Sequence, residues 1–379
     1  MPSGSLIIAA ARVIAAGADL SPGVVEVAQG RIVRVRRGRP ARGTPLRRGI
    51  LAPGLIDLQT NGCAGVDFAT VRDPAALEPV RTFLLRTGVT AFLPTVTTGP
   101  LEAMREALRW WAGLPRGRMP RVLGLHVEGP FLNPAFAGAH PPEHLRPPDA
   151  AELGALLDAA PGFVRLLTLA PELPGAQALI ALARRRRIVV SAGHTAAAYD
   201  EARAAFRLGV RMVTHLFNAM RPLHHREPGV VGAALEDAAI TAGLIADLVH
   251  VHPSVLRLVI GRKTWRRVAL VTDAVAAAGA TDAGASAQLA GRRLAVTDAP
   301  RLPSGTLAGS LLTMDGAVRN AVALGVPLRE AVLMASTVPA DALGRRDLGR
   351  IAPGARADLV LFDPALRVRA VWIGGCPAA

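Results

Sequence analysis

Cysteine and lysine are scarce in this sequence, and aromatic residues amount to 4%. Two cysteines, Cys63 and Cys376, in 379 residues argue against a disulfide scaffold and suit a reducing compartment, so a cytoplasmic location is expected. No uninterrupted apolar run reaches the roughly 18 residues that a membrane span needs, so no membrane partner is expected. The apolar start, MPSGSLIIAAARVIAAGADL, lacks a preceding basic region and its alternation continues as a strand pattern. It reads as folded structure, not as a signal peptide. Lys263 is the one lysine; the other basic residues are arginines spread along the chain, and the formal charge is +15. Runs such as Arg184–Arg187 close a helical stretch, where cations complement the helix dipole. Stacking platforms for bases need more aromatics than this chain has. A bias toward Arg, Ala, Gly and Pro accounts for the charge more simply than a nucleic-acid site does.

What the chain does have is apolar residue, 51% of it, with 38 glycines and 30 prolines throughout. That composition is globular with many tight connections, and the length fits one barrel-sized domain plus a small one. Residues from about 5 to 50 give short alternating strands, and ADLVLFD and RVRAVWIGG near the far end look alike. We expect residues 1–50 plus 345–379 to form a small β-sandwich domain. Residues 51–344 then form the other domain. Within it lie eight buried-strand candidates, each followed by a helical or turn segment. They are GLIDLQTN, VTAFLPTV, VLGLHVEG, VRLLTLAPE, RIVVSAGH, RMVTHLFN, AGLIADLVH and VALVTDAV. Eight alternating β/α units predict an α/β fold, a closed parallel (β/α)8 barrel. Polar residues gather at the carboxyl ends of these strands, the face where such barrels hold their active sites. All nine histidines fall between His126 and His252, inside the barrel segment.

The segment Ile188–Met220 reads strand, helix, strand, and each strand leads to a histidine, His194 and His215. Consecutive parallel strands lie side by side, so two imidazoles meet there. Together with Glu128 they make a three-ligand set of the kind that holds a catalytic divalent metal and leaves a position open for water. Asp273, at the last strand, is the candidate proton acceptor, which later returns the proton to the leaving amine. The plainer alternatives are histidines satisfied by hydrogen bonds and an aspartate capping the next helix.

GLIDLQTNGCAGVDF, GLHVEGPFLNPAFAGAHPPEHL, SAGHT, VTHLFNAMRPLHHREPGVVGAAL, LVTDAV and LAGSLLTM resemble the N-acetylglucosamine-6-phosphate deacetylase family of the amidohydrolase superfamily. The resemblance covers essentially the whole chain, with HVEGPF plus GAH and HLFNAM plus REPG its specific signatures. It implies metal ligation by Glu128, His194 and His215, proton transfer by Asp273, and a carbonyl-polarising role for His140. It implies sugar and phosphate contacts at Ala139, His140, Asn218, Ala219, Arg226, His250 and the backbone of Leu307, Ala308 and Gly309. Arg226 suits phosphate because a planar guanidinium donates two hydrogen bonds at once. The resemblance also implies a homodimer with phosphate contacts across the interface.

Many relatives in the superfamily carry His-x-His at the end of the first strand, where this chain has Gln59-Thr60-Asn61. Amides are poor metal ligands, so one divalent ion per subunit is expected, zinc first, with iron or another divalent ion also compatible. Gln59 and Asn61 are candidate pocket-lining residues. Cys63 reads as a small buried residue, and His224, His225 and His252 receive no role. The expected reaction is hydrolysis of the acetamide of N-acetylglucosamine 6-phosphate, with the galactosamine epimer, or another amide hydrolysed within the amidohydrolase superfamily, as the alternative. A barrel without catalysis is the reading from a different class, and three surviving candidate ligands weigh against it.

Overall fold

The computed structural model describes residues 6–40, 44–115, 120–282 and 287–378. Strands β1 (Leu6–Ile14), β2 (Asp19–Leu20), β3 (Gly23–Ala28), β4 (Arg31–Arg37) and β5 (Leu46–Pro53) come first. The strands β14 (Leu359–Phe362), β15 (Val368–Ile373) and β16 (Cys376–Pro377) join them from the far end of the chain. All eight form one mixed sheet in the order β16-β15-β14-β5-β1-β3-β4, with β2 beside β1. The one parallel pair joins β1 to β5. Ile8, Val13, Val25, Ile32, Leu51, Leu359 and Trp372 build its apolar core.

The barrel strands are β6 (Leu55–Thr60), β7 (Val89–Thr97), β8 (Leu125–Glu128), β9 (Val164–Leu169), β10 (Val189–Ala192), β11 (Val210–Val213), β12 (Thr241–Ile245) and β13 (Val268–Val271). They pair in parallel in that order. Each of the eight sequence-predicted segments overlaps one of them, and three miss a single terminal residue, Thr97, Val210 or Thr241. Strands buried on both faces need apolar residues at consecutive positions, which is why alternation is missing here; every position of β6 and β7 is buried.

A helix follows each barrel strand, and its apolar side chains are buried against the barrel. The helix Leu101–Gly113 buries Met104, Ala107, Leu108 and Trp111, the i, i+3, i+4, i+7 spacing of one helical face. Trp111 then meets Phe68 at 5.2 Å between ring centroids, with Phe92 6.0 Å from Phe68. The indole N–H donates to the Phe68 carbonyl at 2.9 Å, so the ring's polar edge is satisfied in the core. The helix Tyr199–Leu208 ends at Gly209, whose φ of 123° fits the predicted stop.

Between β6 and β13 the ring closes at the carboxyl end. The Asp273 N–H donates to the Gln59 carbonyl at 2.9 Å, and the Asn61 N–H to the Ala274 carbonyl at 2.7 Å. The barrel is therefore nearly closed, and its seam runs through residues of the candidate site. Gly54 links β5 to β6; a Cβ there would stand 2.1 Å from the Thr90 hydroxyl, so only glycine lets the sheet and barrel meet so closely.

Candidate active site

Glu128 ends β8, whereas His194, His215 and Asp273 each lie two residues beyond β10, β11 and β13. These three have positive φ, 49°, 27° and 51°. Such turns cost residues with a Cβ and persist where surrounding contacts hold them. Here they swing the side chains off the strands and over the mouth of the barrel. Gly309, at φ 65°, passes so close that a Cβ would lie 2.7 Å from the Asp273 carbonyl.

One donor atom each of Glu128, His194 and His215 lies within 4.8 Å of the others, and all three residues are buried. The Nε2 atoms of the two histidines are 3.1 Å apart, and Glu128 Oε1 is 3.3 Å from one and 3.1 Å from the other. His194 Nδ1 is 2.9 Å from the Phe136 carbonyl. A carbonyl only accepts, so Nδ1 carries the proton and Nε2 presents its lone pair to the cluster. Burial raises the Glu128 carboxyl, but the polar surroundings made by the His194 and His215 imidazoles outweigh that and hold it well below its ordinary value. Two nitrogens and a carboxylate oxygen converging this closely fit a divalent cation.

The Gln59 amide donates to Glu128 Oε1 at 3.1 Å and to Asp273 Oδ1 at 3.0 Å. Asn61 donates to the same Asp273 oxygen at 2.7 Å. Both amides thus orient carboxylates. Asp273 caps no helix, in contrast to the plainer reading of its sequence position. Burial, then the neighbouring Glu128, pushes its carboxyl up to about 6. The His140 ring meets that of His194 edge-on at 4.4 Å, with Nε2 4.0 Å from Glu128. Burial, then His194, lowers it to about 3, so it is a neutral N–H donor at pH 7. His126 lies deeper, 2.8 Å from the Thr168 hydroxyl, as a satisfied core histidine.

These groups open into a cavity of about 390 Å³ also lined by Asn61, Ala139, Asn218, Ala219, His250, Leu307 and Gly309. His250 is fixed by Asp247, whose carboxylate accepts from Nδ1 at 2.6 Å. Ala308 faces elsewhere, into an apolar cluster with Val275 and Leu289, and its N–H is taken by the Pro300 carbonyl at 3.0 Å. Arg226 is exposed, its guanidinium 2.9 Å from His225, and it is absent from this lining. Sequence reasoning missed Thr97 and Arg301, which do line the cavity. Thr97 is a polar residue at the carboxyl end of a barrel strand, the signal that marks it. A larger groove of about 490 Å³, around Trp111 and Arg121, shares none of these residues and brings no such ligand set together.

The amidohydrolase family model matches residues 50–376. This chain belongs to the amidohydrolase family. The N-acetylgalactosamine-6-phosphate deacetylase of Escherichia coli O157:H7 is 41% identical to this amidohydrolase over 86% of its chain and 87% of the relative. The N-acetylglucosamine-6-phosphate deacetylase of Bos taurus is 39% identical over 86% and 82%. Among solved structures, an N-acetyl-D-glucosamine-6-phosphate deacetylase mutant from Mycobacterium smegmatis, in complex with N-acetyl-D-glucosamine-6-phosphate, is 36% identical. It aligns over 99% of this amidohydrolase and 100% of its own chain, with a TM-score of 0.90.

Proposed function

We propose that this amidohydrolase hydrolyses the acetamide of N-acetyl-D-glucosamine 6-phosphate to glucosamine 6-phosphate and acetate. The observation that carries the reading is the convergence of Glu128, His194 and His215 beside the amide-held carboxylate of Asp273. Those three residues would hold one divalent ion, zinc in the first instance, with iron or another divalent ion compatible with the same donors. Such an ion, when bound, supplies a Lewis acid and lowers the pKa of water toward about 7.

Asp273 then takes a proton from the attacking water and returns it to the leaving nitrogen as the C–N bond breaks. A carboxyl with a pKa of about 6 does both near neutrality. His140, neutral and buried, donates its N–H to the oxygen that gains charge as water adds. Asn218, Ala219, His250, Ala139 and the backbone of Leu307 and Gly309 contact the sugar and its phosphate, whereas the Ala308 N–H is already taken. A homodimer in which Arg226, exposed on its own chain, serves the cavity of a second copy belongs to the same reading. Residues 1–50 with 345–379, and 51–344, are the proposed domain bounds, and the cytoplasm is the proposed location.

The identity with the galactosamine-6-phosphate deacetylase supports a second reading, the epimeric substrate. Purified protein loaded with zinc should release acetate from N-acetylglucosamine 6-phosphate. Comparing kcat/KM for both epimers ranks the two readings. No acetate from either sugar would end the proposal.

A further inference from the structure

Around His194 the chain is held from both sides by one acidic residue with no part in the chemistry above. Glu172 lies three residues beyond β9, at the mouth of the barrel. Its Oε1 accepts from the Ala196 N–H at 2.7 Å and from the Asn133 side-chain amide at 2.9 Å. Its Oε2 accepts from the Thr195 hydroxyl. Thr195 and Ala196 are the two residues that follow His194. Asn133 reaches His194 from the opposite side, its backbone N–H donating to the His194 carbonyl at 2.9 Å. The Asn133 side chain also caps the short turn Pro134–Phe136, accepting from the Ala135 N–H at 2.9 Å. That turn carries the Phe136 carbonyl, 2.9 Å from His194 Nδ1.

We infer that Glu172, with Asn133, is a positioning residue that fixes both the backbone and the ring of His194 for metal binding. The inference rests on the metal reading proposed above. Three contacts converge on it. His194 sits at φ 49°, a conformation that needs holding, and Glu172 grips the two residues after it. The ring orientation is set by the Phe136 carbonyl, and the turn bearing that carbonyl is capped by the residue Glu172 holds. With the carboxylate gone, the His194 loop and the Asn133 turn lose their common anchor, and Nε2 is no longer fixed on the cluster.

The test is zinc affinity, read by competition with a chromophoric chelator on full-length protein. Outer partners of metal ligands carry roughly 10–100-fold in affinity, so Glu172→Ala should weaken zinc by that factor. Glu172→Gln should stay within roughly threefold of wild type, because one amide oxygen replaces the atom that outer-partner geometry requires. That oxygen still accepts from both Asn133 and Ala196, and the new NH₂ meets the Thr195 hydroxyl as an acceptor. Wild-type zinc affinity in Glu172→Ala, with only the melting temperature lowered, overturns the inference. Equal weakening in Glu172→Gln overturns it too, since acceptor geometry would then not be what matters. If Glu172→Ala yields no folded protein, Asn133→Ala is read against the same thresholds. If the wild type itself binds no zinc, the metal reading fails instead, and the two failures are distinguishable.

Discussion

Asp57, in β6, is an acid placed where ionisation is unfavourable, and its cost is measurable. It is 1% exposed. Its Oδ1 accepts from the backbone N–H groups of Gln59 and Thr272, both at 3.2 Å. Its Oδ2 accepts from the hydroxyls of Thr60, at 2.8 Å, and Thr272. All these partners are neutral. Burial outweighs them and pushes the carboxyl from 3.8 up to about 6. Below about pH 3.8 the group is neutral in both folded and unfolded chains. Between about 3.8 and 6 the unfolded chain ionises first, so stability falls as pH rises. Above about 6 both states are charged and the loss levels off. A shift of about two units corresponds to about 3 kcal/mol at 1.36 kcal/mol per unit.

Asparagine is nearly isosteric and neutral throughout. Its oxygen keeps the two N–H donors, and its NH₂ donates to the two threonine hydroxyls, which re-aim toward each other and the Gln59 carbonyl. The stability of Asp57→Asn relative to wild type should therefore rise by about 3 kcal/mol between pH 3 and pH 7. At about 2.1 cal/mol/K per residue the whole chain unfolds with about 0.8 kcal/mol/K, so the melting-temperature difference should grow by about 4 °C. Differential scanning calorimetry of both proteins across that range reads it, and groups common to both cancel. A difference that stays flat with pH would refute the claim that burial governs this carboxyl.

Two further outcomes follow from the site. Asp273→Asn keeps an oxygen for the Asn61 and Gln59 amides but cannot take a proton. Steady-state kinetics should show kcat lowered by about 10²–10⁴-fold while metal content, by elemental analysis, stays at wild-type level. Stripping the protein with a chelator should abolish acetate release, and restoring zinc should recover it. At a thousandfold excess over Kd the ion stabilises the fold by about 4 kcal/mol, so the stripped protein should also melt lower.

The barrel was legible in the sequence because strands covered on both faces must be apolar at consecutive positions. VTAFLPTV and VALVTDAV therefore stand out. Glu128, His194, His215 and Asp273 were legible because the carboxyl ends of such strands have one destination. Their backbone conformation was not, since left-handed φ at a histidine is imposed by contacts distant in sequence. The tie between Asn133 and Glu172, 39 residues apart, is of that kind. Arg301 was invisible for another reason. It belongs to a hairpin of two-residue strands, Ala295–Val296 with Pro300–Arg301, too short to show any period. The two ends of the chain announced their strands, but not that β1 would pair in parallel with β5. Pairing over distance leaves no local trace.

The flanking sheet carries a consequence for how the chain matures. Strand β5 is bordered on one side by β1 and on the other by β14, whose register runs from Leu359 opposite Pro53 to Phe362 opposite Ile50. During translation the first partner leaves the ribosome before β5, and the second only after the entire ring of eight strands. For that interval one flank of β5 offers bare amides and carbonyls, an open template for any extended polypeptide nearby. Nascent chains stalled or cut short before residue 359 would be the species that chaperones must shield.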